Sequence, residues 1–226
     1  MTALAASPAA DRNKAPILEA LRSVLPAAGR LLEIASGTGQ HAGWIGPRLP
    51  GWVWQPTEAN NAALPTISAW THALQAGNVL APCLLNVMEP VWPTSDETLA
   101  SAFQPPFDAV YCANLLHIAP WPTCAALMEG ANRHLRPGGL LLIYGPFLES
   151  GVNTSPGNLT FDATLRSQNR AWGLRDIDAV KTNAHSAGLR LRHRLDMPAN
   201  NLLLVFTSAE PAGMPAQNEV CSTANH

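Results

Sequence analysis

The sequence predicts an α/β fold: a mostly parallel, twisted sheet of seven strands, with helices on both faces and an antiparallel strand in a C-terminal hairpin. Short continuous apolar segments alternate with segments of helical periodicity, as right-handed crossover connections require. The apolar runs lack polar alternation, which is typical of strands covered on both faces. A chain of 226 residues, 47% hydrophobic and 13% charged, is long enough to bury such a core.

Seven segments are predicted as strands, because each combines an apolar run with bounding proline, glycine or polar residues. They are residues 30–35, 52–56, 81–87, 107–114, 140–144, 189–196 and 201–207. The last two are expected to pair as a hairpin across residues 197–200, which gives the sheet its antiparallel strand.

The segments between them are predicted as helices from apolar side chains at helical spacing. They are residues 16–25, the segment from a glycine turn to 47–50, and residues 64–74, 97–103, 124–135, 161–167 and 175–187. Pro16 suits the first turn of the first helix. Five tryptophans are expected to serve as core packing: Trp44, Trp52, Trp54, Trp70 and Trp92.

The chain is expected to contain one folded domain over residues 11–207. Residues 1–10 are expected to be a flexible leader, and residues 208–226 a disordered tail that is small, polar and proline-bearing. No start typical of a signal peptide and no apolar run of about 18 residues is present, so a soluble cytoplasmic protein is expected.

Charge and cysteine usage exclude several function classes. The net charge is −2 and no Lys/Arg block interrupts it, which argues against a nucleic-acid partner. The cysteines Cys83, Cys112, Cys124 and Cys221 show no CxxC spacing, so neither a zinc site nor a disulfide framework is expected. A small-molecule partner is favoured, and nothing in the sequence sets the oligomeric state beyond a slight preference for a monomer.

The most informative motif is Leu-Leu-Glu-Ile-Ala-Ser-Gly-Thr-Gly-Gln-His over residues 31–41. Gly37 and Gly39 let a ligand approach the main chain, and the following helix would direct its unpaired N–H groups at the ligand. Glu33 adds a carboxylate beside the turn. A ligand with both a hydroxylated sugar and an amino group suits this set, and S-adenosylmethionine (SAM) is such a ligand.

Polar residues at four successive strand ends support the same hypothesis. Ligands of open α/β sheets lie outside the carboxyl ends of the strands, and Glu33, Glu58, Asn86 and Asn114 fall there. Glu58, about twenty residues past the turn, is predicted to accept the ribose hydroxyls. Asn86 is predicted to accept a hydrogen bond from the adenine amino group, and Asn114 to lie between cofactor and acceptor.

Each of these residues has a structural alternative. The Gly-Thr-Gly turn is needed for conformation alone in many βα loops, and Glu58 alone reads as a solvated loop acid. Asn86 and Asn114 both suit caps of the turns that follow them.

Leu135-Arg-Pro-Gly-Gly-Leu-Leu-Leu-Ile143, together with the glycine turn, resembles class I SAM-dependent methyltransferases over residues 11–207. A narrower resemblance is to the methyltransferase-like 26 family. It rests on the segments Asp-Arg-Asn-Lys-Ala-Pro-Ile (11–17), Glu-Ile-Ala-Ser-Gly-Thr-Gly-Gln-His (33–41), Asn-Leu-Leu-His-Ile-Ala-Pro-Trp (114–121), Tyr-Gly-Pro-Phe (144–147) and Met-Pro-Ala-Asn-Asn-Leu (197–202).

The resemblance implies a Rossmann-like sheet and SAM as the cofactor, with no metal. The residues that it places around the cofactor are Asn13, Glu33, Ala35, Ser36, Gly37, Thr38, Gly39, Glu58, Asn86, Val87 and Asn114. Two departures from the general pattern stand out. Ala35 replaces the usual first glycine, and Asn86 replaces a common acid.

Two residues are candidates for the methyl-transfer step. Alignment of acceptor and methyl group supplies much of the rate, and a base is needed only where the acceptor loses a proton. His117 lies just past the fourth strand and is the candidate base, with a structural histidine as the equal alternative. Tyr144 ends the fifth strand and is the candidate for orienting an acceptor, against a rim aromatic with a solvated hydroxyl. Residues 145–173 are predicted to form a lid over the acceptor, with Phe161 and Trp172 on its underside.

Two other function classes stay open. Gly37 to Ala42 satisfies the G-x-G-x-x-A form of an NAD(P)-dependent oxidoreductase. Ala35 and Asn86 leave room for a non-catalytic SAM-binding protein.

Overall fold

The computed structural model describes residues 4–92 and 106–208. The helices in this part of the chain are α1 Pro8–Val24, α2 Gln40–Ile45, α3 Leu64–Ala73, α4 Pro122–His134, α5 Pro156–Gln168 and α6 Ile177–Ser186. The strands are β1 Gly29–Ile34, β2 Trp52–Glu58, β3 Cys83–Leu84, β4 Phe107–Ala113, β5 Leu135–Gly145, β6 Phe147–Leu148, β7 Arg175–Asp176, β8 Leu189–Met197 and β9 Asn201–Ser208.

The main sheet has seven strands in the order β3-β2-β1-β4-β5-β9-β8. Strands β1 to β5 pair in parallel, and β9 runs antiparallel to both of its neighbours. The predicted fold class and the C-terminal hairpin are therefore confirmed. A second, two-stranded parallel sheet joins β6 to β7, which the sequence analysis did not predict.

Helices cover both faces of the sheet and divide the core into two layers. One layer packs α4 and α6 against residues such as Val110 and Leu204, and the other packs α1 and α2 against residues such as Tyr111 and Leu203. Consecutive side chains of β4 thus enter opposite layers, as the pleat of a strand requires. The predicted continuous burial follows from this double cover for β1, β4, β5 and β9, whereas the edge strand β8 is mostly exposed or half-buried.

The first helix begins earlier than predicted. It starts at Pro8 instead of Pro16, so residues 8–10, expected in the leader, form its first turn. Ser7 caps it, since its side-chain oxygen accepts a hydrogen bond from Ala10 N at 3.3 Å, and Pro8 occupies the first helical position. Pro16 lies inside the helix.

Other boundaries also differ from the predictions. Strand β3 is limited to Cys83–Leu84, and α5 begins at Pro156, well before the predicted 161. The helix predicted over residues 97–103 and the tail from residue 209 onward lie outside the described residues. Trp52, Trp54 and Trp92 are buried as predicted, but Trp44 and Trp70 are only partly buried. Among the described helices, none is long and apolar enough to cross a membrane.

Candidate functional site

The glycine turn and Glu58 meet at the carboxyl ends of β1 and β2. The main-chain N–H of Gly37 donates to Glu58 Oε2 at 3.0 Å. The other carboxylate oxygen, Oε1, accepts from the N–H groups of Ala59 at 2.8 Å and Asn60 at 3.3 Å. A carboxylate offers about four acceptor positions. Oε2 therefore keeps one position for a further donor, and Glu58 is only half-buried.

The two glycines of the turn differ in the space around them. A Cβ on Gly39 would lie 2.6 Å from Ile67 Cα, and the φ of Gly39 is 84°, so this glycine is required for conformation and packing. A Cβ on Gly37 would meet no atom within 4 Å. Gly37 therefore leaves its side of the turn open to a ligand.

Ala35 has a φ of 55°, in the left-handed region that disfavours a side chain. The next residue holds this conformation, because Ser36 N donates to Thr57 O at 2.8 Å and Ser36 Oγ accepts from Thr57 N at 3.2 Å. Thr38 bonds the side chain of Gln40 at 3.2 Å. The helix that follows, α2, has only six residues and continues into a 3₁₀ turn, so it is a shorter element than the sequence predicted.

Glu33 does not line the open side of the turn. Its side chain is 2% exposed and accepts a hydrogen bond at 2.9 Å from the indole N–H of Trp54. Burial raises its pKa from 4.5 to about 7, against the hydrogen bonds of Trp54 and Ser36, and the charge of Glu58 raises it further. Glu33 thus lies beneath the turn as a buried carboxyl, and Trp54 is its partner as well as a core residue.

A buried polar chain connects α1 to the sheet on the same side. His41 Nε2 lies 2.7 Å from Asn13 Oδ1, and His41 Nδ1 lies 3.3 Å from Tyr111 Oη. Burial lowers the pKa of His41 to about 4, and the charge of Lys14 lowers it further. The neutral ring therefore donates to Asn13 and accepts from Tyr111. Burial raises the pKa of Tyr144, and the nearby side chain of Asn13 opposes this shift.

Asn13 and Tyr144 are predicted site residues, whereas no role was predicted for His41. The sequence did point to His41, because it is the last residue of the glycine motif over residues 31–41. The structure brings Asn13 of α1 and His41 of α2 together, and Tyr144, near the end of β5, is only 3% exposed.

Just after β3, Asn86 caps the turn that follows it, which is the structural alternative to adenine binding. Its side-chain Oδ1 accepts from Met88 N at 3.0 Å and so closes its own turn, while the residue itself is exposed. Val87 is 6% exposed and belongs to the core. The side-chain amide of Asn86 still has its N–H donors available to a ligand.

At the end of β4, Asn114 and His117 lie against β5. Asn114 has a φ of 60°, and its N–H donates to Tyr144 O at 2.8 Å. A Cβ on Gly145 would lie 2.2 Å from His117 Nε2 and 3.2 Å from Asn114 Oδ1. The two predicted side chains therefore meet at one point, which only a glycine at position 145 leaves free.

His117 has no exposed surface, and neither ring nitrogen has a hydrogen-bond partner among the described residues. Burial lowers its pKa to about 3, followed by the charge of Arg175. The Gly173 backbone and the charge of Asp162 oppose this shift, although the contact of the His117 ring with the Gly173 backbone does not reach hydrogen-bond geometry. The ring is therefore a neutral, sealed imidazole.

The segment over residues 145–173 contains β6 and α5. Leu165, at 4% exposed, anchors α5. Phe161 is 37% exposed and Trp172 is partly buried, so their place on the underside of a lid stays a prediction. Arg175, just after this segment, donates hydrogen bonds to the loop that carries His117, a contact that was not predicted from the sequence.

No group of three or more metal-ligating side chains occurs within residues 4–92 and 106–208.

Comparison with solved structures defines the class of fold. An O-methyltransferase family protein from Burkholderia thailandensis superposes with a TM-score of 0.71 at 18% identity, over 89% of this chain and 58% of that one. CalO1, a methyltransferase in calicheamicin biosynthesis solved in its SAH-bound form, gives 0.69 at 16% identity over 88% and 54%. Human N-acetylserotonin methyltransferase in complex with SAM gives 0.68 at 15% identity over 89% and 53%.

The chain thus has the fold of class I methyltransferases and spans little more than half the length of these three structures. It belongs to the family described as "Protein of unknown function (DUF938)", whose profile matches residues 5–208.

Proposed function

We propose that this chain is a SAM-dependent methyltransferase that acts on a small-molecule acceptor. The observation that carries the proposal is the contact between Glu58 Oε2 and the N–H of Gly37, at the open turn between two parallel strand ends. An acid at the end of the second strand is placed to accept ribose hydroxyls. The methyltransferase fold, and neighbours that are named as SAM- or SAH-bound, support the same cofactor.

The chain's own residues have distinct parts in this proposal. The cofactor would contact main-chain atoms of the glycine turn, which consists of Ala35, Ser36, Gly37, Thr38 and Gly39. Glu58 would hold the ribose, Asn86 with Val87 the adenine, and Asn13 with Asn114 the part nearest the acceptor. Glu33, buried beneath the glycine turn, would support the conformation of that turn and would not contact the cofactor directly. Bound SAM would supply an electrophilic methyl group, and the chain would align the acceptor with it.

Tyr144 and His117 are the proposed acceptor-side residues. Tyr144 would orient the acceptor from the end of β5. His117 is neutral, but burial lowers its pKa to about 3, so in its sealed position it is a weak base. Because the ring is fully buried, direct proton transfer requires the 3₁₀ turn Leu115–His117 to move.

The acceptor is proposed to be a small molecule for two reasons. The net charge of −2 does not favour a polyanion. The structural neighbours include O-methyltransferases of small compounds by name, such as mitomycin 7-O-methyltransferase. Within this proposal, the motifs of residues 11–17, 33–41, 114–121, 144–147 and 197–202 support a resemblance to the methyltransferase-like 26 family.

Isothermal titration calorimetry with SAM tests the cofactor. Removing the charge-assisted hydrogen bond in Glu58→Gln should cost about 1.5–3 kcal/mol, or roughly 10- to 100-fold in Kd. Glu129→Gln, on the exposed face of α4, is the matched control and should bind as the wild type does. No heat of binding with folded wild-type protein defeats the proposal. Stabilisation by NAD(P) and not by SAM would favour an oxidoreductase.

A labelled-methyl assay against a metabolite extract then separates an enzyme from a non-catalytic SAM-binding protein. Transfer of label to a small compound supports the enzyme. Tight binding of SAM with no transfer to any compound would establish the non-catalytic alternative.

A further inference from the structure

The loop that follows β4, residues 114–121, holds His117 and is fixed from outside by one guanidinium group. Arg175 Nε donates to Leu116 O at 2.8 Å, and Arg175 Nη2 donates to Ala119 O at 2.7 Å. The same group lies 5.5 Å from the ring of Trp121. One planar fork therefore satisfies carbonyls on both sides of His117, which a point charge such as an ammonium group does not reproduce.

The residues around Arg175 are themselves held by α5. Leu174 N donates to Asp162 Oδ1 at 2.7 Å, and Arg166 Nε donates to Asp162 Oδ2 at 2.8 Å. Gly173 N donates to His117 O at 2.9 Å. The φ of Gly173 is 135°, a region that side chains rarely adopt, and a Cβ there would lie 2.7 Å from Asp162 Oδ1. The geometry of residues 173–175 is thus strongly constrained.

The result at the ring is close confinement. Phe147 packs its ring edge-on against the imidazole, with centroids 5.1 Å apart, and Gly145 abuts Nε2. The charged groups that face the imidazole are Arg175 and Asp162, with opposite effects on its pKa. No surface of the imidazole is exposed to solvent.

We propose that Arg175 is the positioning residue of the acceptor side: through the carbonyls of Leu116 and Ala119 it fixes the loop that keeps the His117 ring sealed against Gly145. The effect of Arg175 on catalysis rests on the proposed function, whereas its effect on the His117 ring does not. Arg175 contacts no reacting atom and acts only through the loop.

Nuclear magnetic resonance of the histidine rings tests the proposal on the full chain without cofactor. The chain has seven histidines, so the Cε1 signal of His117 is assigned from its loss in His117→Asn. In the wild type this signal should not titrate between pH 8 and pH 5. In both Arg175→Lys and Arg175→Gln the loop opens, and the signal should titrate with a pKa raised towards about 6.5, the value of a solvated imidazole.

The two variants separate geometry from charge. If Arg175→Lys behaves as the wild type does, charge alone is responsible and the proposal is overturned. It is also overturned if the ring stays silent in both variants. If Arg175→Gln does not fold, as judged by amide dispersion, Arg175→Lys decides. Arg136→Gln removes an arginine paired with Asp108 at the amino ends of β5 and β4, away from His117, and should leave the His117 signal unchanged.

Kinetics provide the second measurement. Arg175→Lys should raise kcat for an acceptor that loses a proton, because His117 must leave its sealed position to take that proton. A lowered or unchanged kcat would count against this role. The glycine turn is not on this loop, so its contacts with SAM should be kept, and Asn114 is the proposed cofactor residue that the loop carries. Absence of SAM binding to the wild type would defeat the proposed function and leave the ring titration standing.

Discussion

The buried carboxyl of Glu33 predicts an unusual dependence of stability on pH. Its pKa is raised in the folded protein from 4.5 to about 7, so between these values the folded state binds a proton that the unfolded state does not. Stability from this group is fully present below pH 4.5 and is lost as pH rises through 7. A shift of this size corresponds to about 3 kcal/mol of unfolding free energy.

Glu33→Gln isolates this effect. The amide keeps an acceptor for the indole N–H of Trp54 but cannot ionise. The variant should therefore gain stability relative to the wild type as pH rises from 5 to 8, by up to about 3 kcal/mol in total. Urea unfolding at four pH values measures the difference directly, and other titrating groups cancel in it.

A difference that stays constant from pH 5 to pH 8 would refute the reasoning. Trp54→Phe provides the companion test. It removes the donor that lowers the pKa of Glu33, so the pH at which the stability is lost should move upward. A downward move would show that the indole does not contact the carboxyl.

Two further predictions concern buried residues around the candidate site. Gly145→Ala would place a Cβ 2.2 Å from His117 Nε2 and should destabilise the fold by about 1–3 kcal/mol, measured by urea unfolding, whereas Gly157→Ala in α5 has open space around it and should not destabilise it. His41 and His117 are both neutral when folded, with pKa values lowered to about 4 and about 3, so stability present above pH 6.5 is lost as pH falls through that value. Each should cost about 2 kcal/mol between pH 6.5 and pH 5. In His117→Leu the part of this loss of unfolding free energy that comes from His117 should disappear. If the free energy of unfolding of that variant falls with acid as steeply as that of the wild type, the ring is not buried in its neutral form.

Much of the fold was predictable because it depends on local pattern. The strand and helix order follows from apolar periodicity, and the β8–β9 hairpin follows from the interruption at residues 197–200. The missed start of α1 was also readable, since Ser7 and Pro8 are a typical cap and first residue. The β6–β7 pair was not readable, because each strand has only two residues and they lie far apart in sequence.

For the candidate site, the sequence alone located the glycine turn and Glu58, because residue spacing along a βα unit fixes which side chains reach the carboxyl ends of the strands. The tertiary structure decided what the other polar residues do: Glu33 is buried and accepts from Trp54, Asn13 bonds His41, and His117 is sealed in a loop that Arg175 holds. Burial and hydrogen-bond partners arise from segments distant in the chain, and these contacts, not residue type, set protonation and access.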